Sequence, residues 1–387
     1  MIKLYMCSLE VSMIYLDYSA TTKTDEEVLN TFCKVSNDFI GNPNSLHKLG
    51  VEAKKMIDAS TDQIASLLNV KSSEIIYTSG SSESNNLALK GICEKYKNRG
   101  KHIITTEFEH SSIYGPLDYL MDNGFSVDFV SLDENGIVDL KNLEELMSDD
   151  TILVSINAVN SELGILQPLE EISKIVRKYP KCFFHSDMTQ AIGKVNISLS
   201  SIDLASFSAH KFFGIKGIGV LIKKEKVELT PLIHGGKSTT IYRSGTPCLP
   251  LIVSISKALR LALNDIDKKY NYVLDLNKYL KEELSKFDKV RINSNSKSIP
   301  HILNISVLDV KPETMLHALE EKDIYISTQS ACSSSIALSK AVLSLTHDEQ
   351  RAKSSIRISL SYKTTKKEID EFILFFKECY NKLTNLR

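Results

Sequence analysis

No apolar run in this 387-residue chain approaches the roughly 20 residues that cross a bilayer, so no membrane-spanning segment is expected. Neither sign of charge is in excess. With 47 Lys and Arg against 48 Asp and Glu, the formal net charge is −1, which gives no reason to expect direct binding of nucleic acid. Seven cysteines, at 7, 33, 93, 182, 248, 332 and 379, form no CxxC pair and no paired Cys/His spacing, so no metal site is expected. Most of them read as small buried hydrophobes in a reducing cytoplasm, Cys33 and Cys182 in apolar settings among them. Residues 1–7 carry one lysine and too short an apolar stretch for a signal peptide. Met13 is a second candidate start, because recognisable pattern begins at Ile14. There is no internal repeat and no low-complexity tract beyond the serine-rich stretch at 327–335.

What is present is ordinary globular material, 42% apolar and 25% charged, in a chain long enough for two domains. From about residue 45 the spacing alternates between periods. It predicts helices over 46–68, 83–96, 113–121, 140–147 and 169–177. Between them fall strands over 74–78, 102–105, 126–130, 152–156, 182–185 and 204–208. Apolar strands alternating with amphipathic helices argue for an α/β fold with a mainly parallel sheet covered on both faces. Beyond residue 250 the pattern changes to one long helix over 251–287, then strand 301–307, helix 312–320, a strand near 323–326 and a last helix over 366–383. The expected division is a large domain over 14–250 and a smaller α+β domain over 251–387 that carries the serine-rich loop. Residues 1–13 would pack with the chain or stay disordered.

In a parallel sheet, ligands bind beyond the carboxyl ends of the strands. Thr78, His110, Asn160 and Asp187 all follow predicted strand ends. Lys211, in Ser208-Ala209-His210-Lys211, sits between an apolar run and a glycine-punctuated turn, where an amine is poorly placed for packing and well placed for a Schiff base. With Asp187 it supplies what pyridoxal phosphate requires, an amine for the aldehyde and a carboxylate for the ring nitrogen. The turn at 79–86 joins a strand to a helix start, and its N–H groups with the Ser81 and Ser82 hydroxyls suit an anion. The plainer reading is a helix cap by Ser81 or Ser82. His110 can stack on a ring and exchange protons, or be a surface loop histidine. Cys332, in Ser330-Ala331-Cys332-Ser333, is a candidate nucleophile or an incidental loop thiol. Arg357, opposed in its strand by Ile356 and Ile358, can clamp a carboxylate or lie on a solvated face. The turn Arg243-Ser244-Gly245-Thr246 suits phosphate, or is a surface loop.

In order along the chain these motifs resemble those of the cysteine desulfurases, class V members of the fold-type I pyridoxal-phosphate enzymes. The matching pieces include Tyr15-Leu16-Asp17-Tyr18-Ser19-Ala20-Thr21-Thr22, Gly41-Asn42-Pro43-Asn44-Ser45, the turn at 79–86 and Glu109-His110. They continue through Asp187-Met188-Thr189-Gln190, Ser208 to Lys211, Arg243 to Thr246, Ser330 to Ser333 and Ser355-Ile356-Arg357. The resemblance implies that Lys211 holds the cofactor and moves the Cα proton. Asp187 would meet the ring nitrogen, Gln190 the ring hydroxyl, and His110 the ring face. Ser81, Ser82, Ser208 and His210 would hold the phosphate, joined by Thr246 from the second subunit of a homodimer, and Asn160 would contact cofactor and substrate. Arg357 and Ser161 would meet the carboxylate of L-cysteine. Cys332 would take the substrate sulfur as a persulfide, release alanine and hand the sulfur to an acceptor protein, such as an iron–sulfur scaffold or a tRNA-thiolation enzyme. The sequence departs from the family pattern in three places: Ser161 replaces a second asparagine, Lys237 a third glycine after Gly235-Gly236, and Ile336-Ala337-Leu338 makes the stretch after Cys332 more apolar. Selenocysteine lyase, aminotransferase, or a non-catalytic partner subunit are the alternatives these departures leave open.

Overall fold

In the computed structural model, which describes residues 13–328 and 338–384, a short strand β1 (Ile14–Tyr15) precedes helices α1 (Glu26–Asp38) and α2 (Lys48–Leu68). The alternating region follows: β2 (Ile75–Thr78), α3 (Ser81–Tyr96), β3 (His102–Thr105), α4 (Ser111–Asp122), β4 (Ser126–Phe129), α5 (Leu140–Leu146), β5 (Thr151–Ser155) and α6 (Leu169–Val176). It ends with β6 (Phe183–Asp187), β7 (Leu204–Ser208) and β8 (Gly219–Lys223). The remainder comprises α7 (Leu249–Leu263), α8 (Ile266–Leu284), β9 (Val290–Ile292), β10 (Ile302–Val307) and α9 (Pro312–Glu320). It closes with β11 (Ile324–Tyr325), α10 (Lys340–Thr346), α11 (Glu349–Lys353), β12 (Ser355–Ser359) and α12 (Lys366–Thr384).

Seven strands form one sheet in the order β2-β8-β7-β6-β5-β3-β4. The neighbours from β7 to β4 run parallel, while β8 is antiparallel to both β2 and β7. The inner strands are buried at every residue, as runs covered on both faces must be. One face packs against α3 and α4 through Leu87, Ile92, Ile113 and Leu117. The other meets α2, α6 and α7 through Ile64, Ile172 and Ile255. A second sheet, β12-β10-β9, is antiparallel and shares an apolar cluster with α8, α9 and α12. Ile14 and Leu16 belong to this second cluster, because β1 pairs in parallel with β11.

The mainly parallel α/β sheet is the one the alternation predicted. The long helix expected over 251–287 is two helices: Asn264 leaves helical geometry and Asp265 turns left-handed at φ 52°, a conformation Asp tolerates better than most residues. Helix α1 was not anticipated, since of its residues only Val28 and Val35 are buried, too thin a stripe to read. Strand β8 and the short elements β9, α10 and α11 were also missed. Cys33 and Cys248 are exposed, so the expected apolar setting of Cys33 is corrected; Cys93, Cys182 and Cys379 are buried.

Candidate active site

The small-residue turn after β2 is held tightly against the sheet. Gly219, paired with Thr78, leaves no room for a side chain: a Cβ there would come within 2.6 Å of the Gly80 Cα. This close approach brings the start of α3 to the end of β7, where the Ser81 N–H donates to Ser208 Oγ at 2.6 Å. The Ser208 hydroxyl in turn reaches Ser81 Oγ at 3.2 Å. The N-cap position is Gly80, not Ser81 or Ser82, so the helix starts without the side-chain cap the plainer reading required. Glu83 in its first turn is taken up by Arg243 at 3.0 Å and by the Ser79 N–H at 2.7 Å.

Beyond Ser208 a single 3-10 turn, Ala209–Lys211, carries the lysine across to the segment after β1. Lys211 Nζ donates to the Ser19 and Ala20 carbonyls at 2.7 and 2.8 Å. The neighbouring His210 carbonyl accepts from the Thr22 N–H and hydroxyl, and its Nδ1 lies 3.1 Å from Thr21 Oγ1. Phe213, two residues on, is left-handed at φ 65°, a strained conformation for a bulky residue, and the Thr22 hydroxyl oxygen accepts its N–H. Burial, with the Lys211 charge beside it, pushes His210 down to about 4, so its ring is neutral near pH 7.

Asp187 closes β6. Its carboxylate accepts from the Thr189 N–H at 2.9 Å and from the Asn85 amide, on α3, at 2.8 Å. Asn85 also donates to Ser112 Oγ, next to His110. His110 caps α4: its Nδ1 accepts the Ser112 N–H at 3.1 Å, which leaves the ring proton of the neutral form on Nε2. Burial lowers the His110 pKa as well, opposed by Asp187 and reinforced by Lys211. Glu109 beside it is buried and lifted to about 8, with one oxygen accepting from Thr106 Oγ1 and the Asn157 N–H.

Arg357 is 1% exposed, which rules out the solvated strand face. Its guanidinium donates to Asp17 Oδ1 and to the Ser161 carbonyl, both at 2.9 Å, and Nε finds no partner among the described residues. One cavity of about 200 Å³ gathers Ser81, Ser82, His110, Ser161, Asp187, Gln190, His210, Lys211 and Arg357. Ser208 backs it through Ser81.

Besides Ser208, two expected residues lie outside that lining. Asn160 spends its side chain on its own loop, accepting from the Glu162 and Leu163 N–H groups and donating to the Phe108 carbonyl. Asn157 lines the cavity in its place. Thr246 is exposed and lines a separate hollow with Thr78, Arg243 and Cys248. Cys332 lies outside the described residues. Sequence reasoning gave no role to Asp17, Asn85 or the Ser19 and Ala20 carbonyls, although all stand within motifs already noted.

The donor set fits pyridoxal phosphate. An amine suits the aldehyde, a buried carboxylate the ring nitrogen, and hydroxyls at a helix start the phosphate. Four cavity residues also hold buried polar atoms without partners among the described residues: Ser19 Oγ, Asn157 Oδ1, Thr189 Oγ1 and Arg357 Nε. Such groups are costly unless a polar guest meets them.

The family described as aminotransferase class-V matches residues 14–372. A NifS/IcsS protein homolog of Lactobacillus delbrueckii subsp. bulgaricus is 41% identical, covering 97% of this chain and 99% of that protein. The cysteine desulfurase IscS of Buchnera aphidicola subsp. Baizongia pistaciae is 42% identical, covering 96% and 94%. A solved structure titled NifS-like protein superposes with a TM-score of 0.90 at 35% identity, covering 97% of this chain and all of that one. With the cavity and these near-full-length relatives in agreement, the chain belongs to the cysteine desulfurases, pyridoxal-phosphate-dependent enzymes of the aminotransferase class V family.

Proposed function

We propose that this protein removes the sulfur of L-cysteine, giving L-alanine and a persulfide on Cys332. The observation that carries the reading is the convergence of Lys211, Asp187, His110 and Arg357 on one cavity with unmet hydrogen-bonding groups. Lys211 would hold the cofactor, Asp187 its ring nitrogen, Gln190 its ring hydroxyl and His110 its ring face. Ser81, Ser82, Ser208 and His210 would hold the phosphate. When bound, the cofactor supplies an electron sink for the carbon that bears the amino group. Arg357 would grip the substrate carboxylate with its remaining N–H groups, Ser161 and Asn157 bordering it, while Asn160 sets the turn that presents Ser161. The Lys211 amine would then move the Cα proton.

The chemistry balances as cysteine plus a thiol giving alanine plus a persulfide. The substrate C–S bond breaks, an S–S bond forms at Cys332, and the proton released by the thiol ends on the alanine skeleton. Transfer of the outer sulfur to an acceptor protein, such as an iron–sulfur scaffold or a tRNA-thiolation enzyme, would complete the cycle in the cytoplasm. A homodimer bringing Thr246 to a neighbouring phosphate site is part of the same proposal. Its support is the exposure of Thr246 and of nearby apolar side chains such as Ile233 and Ile241. The division into domains at 14–250 and 251–387 is likewise proposed. It is supported by the seven-stranded and three-stranded sheets, which fall wholly on either side, while the β1–β11 pair and the packing of α7 on α1 and α2 cross the boundary.

The test is production of alanine and sulfide from L-cysteine with pyridoxal phosphate and a thiol reductant. Cys332→Ala is expected to keep the yellow cofactor band and cysteine binding but lose sulfide release by at least about a hundredfold. Lys211→Ala is expected to lose the band itself. Sulfide release by Cys332→Ala at the wild-type rate would sink the persulfide reading.

A further inference from the structure

Seven residues beyond Asp187 stands a lysine that the proposed reaction does not use. Lys194 is 7% exposed, and its amine donates to Gln190 Oε1, a neutral amide and not a carboxylate. The other end of that amide, Nε2, donates to the Ser19 carbonyl at 3.0 Å. The same carbonyl accepts the Lys211 amine at 2.7 Å. Gln190 lines the cavity and Lys194 lies behind it.

The two contacts fix which way the amide points. A carbonyl only accepts, so the NH2 end must face Ser19; the oxygen, in turn, can only accept from the lysine. Flipping the amide would break both bonds at once. We propose that Lys194 is a positioning residue for the cofactor, locking Gln190 so that it offers the cavity a hydrogen-bond donor and no acceptor. This rests on the reading of pyridoxal phosphate as the guest and of Gln190 as the partner of its ring oxygen. A donor fixed in this way favours the ionised form of that oxygen.

The surroundings make the lysine costly to keep as packing material. The charged groups that act on it are Lys211 and Arg357, which with burial push its pKa well below the usual amine range. His301 lies close enough to feel its charge. A buried amine among like charges is destabilising on its own. Among the described residues, the one hydrogen bond of its amine goes to a cavity residue.

The experiment uses the full-length protein loaded with pyridoxal phosphate. The pH midpoint of the visible cofactor band and the cofactor Kd, by equilibrium dialysis, are measured for wild type, Lys194→Met, Lys194→Arg, Gln190→Ala and the Lys194→Met/Gln190→Ala double variant. The band midpoint should rise by about one pH unit in Lys194→Met, since losing a hydrogen bond to a charged oxygen costs on that order. The Kd should weaken about tenfold, and Lys194→Arg, which keeps donors, should recover part of both. In the Gln190→Ala background the lysine change should add nothing. A lowered melting temperature with unchanged midpoint and Kd would make Lys194 a structural residue only and overturn the proposal. So would a Lys194→Met effect that persists undiminished without Gln190. If Lys194→Met does not fold, Lys194→Gln, too short to reach the amide in the same way, carries the same expectation. Wild-type protein that takes up no cofactor would overturn the cofactor reading itself, an outcome separate from either of these.

Discussion

Arg357 carries its counter-ion with it into the interior. Asp17 meets one arm and the Ser161 carbonyl the other, so the guanidinium is oriented before any substrate arrives. Removing one member of a buried pair leaves the other charge uncompensated, and that loss exceeds the net worth of the pair. Asp17→Ala should therefore cost about 3 kcal/mol in denaturant unfolding. It should also raise KM for cysteine roughly tenfold with a smaller change in kcat, because a tilted guanidinium weakens binding in ground and transition states alike. Equal losses in kcat and kcat/KM would instead place Asp17 in the chemical step. The charge of Arg357 is legible in the sequence; Asp17 as its partner is not, because 340 residues separate them and no local pattern links the two.

At the scale of elements, the turn between β2 and α3 depends on a glycine that belongs to a different strand. Gly219→Ala would drive a methyl into the Gly80 backbone and push Ser81 away from Ser208. The expected outcome is a weaker cofactor Kd, by about tenfold or more, with the internal β7–β8 ladder retained. Cofactor titration alongside thermal melts checks it, and an unchanged Kd would show that the turn can relax without loss. The serine-rich turn and the strand ends at Asp187 and Lys211 were readable because residue type and spacing carry their chemistry. Strand β8 was not: its five buried residues follow a glycine-rich turn and run antiparallel, against the alternation that organises the rest. The break between α7 and α8 hides for a similar reason, since Asp265 is left-handed without a glycine to announce it. Asn160 and Asn157 show a finer limit. Both follow the same strand, and only the loop's own hydrogen bonds decide which one reaches the cavity.

Over the whole molecule, buried titratable groups set a window of pH for stability. Burial pushes His185 and His210 down to about 4 and His301 to about 3 from an ordinary 6.5. The unfolded chain binds those protons more readily, so the histidines' contribution is whole above pH 6.5 and is lost as pH falls through 4 and 3. Glu109 acts in the opposite sense. Burial lifts it from 4.5 to about 8, the folded chain holds the proton more tightly, and its contribution drains away as pH rises from 4.5 through 8. Melting temperatures should fall as pH drops below about 6.5. The melting temperature of Glu109→Gln relative to wild type should climb as pH rises from 4.5 through 8. In both proteins Lys194, with its depressed pKa, acts in the stabilising sense on the alkaline side. A slope unchanged by Glu109→Gln would assign any alkaline loss to other groups.

The segment from Ile14 to Asp25 ties the apolar cluster of the second sheet to the cavity. Ile14 pairs with Ile324, the Ser19 N–H donates to Ser359 Oγ, and Thr22 and Asp25 bond to the His210 and Phe213 carbonyls. During synthesis this segment thus waits for partners 340 residues further on before the amine of Lys211 has its carbonyls in place and Arg357 its carboxylate. At about 5–20 residues per second that is a delay of tens of seconds. A nascent or truncated chain lacking β12 is expected to have no assembled site to capture a reactive aldehyde, so cofactor loading waits until β12 has been made.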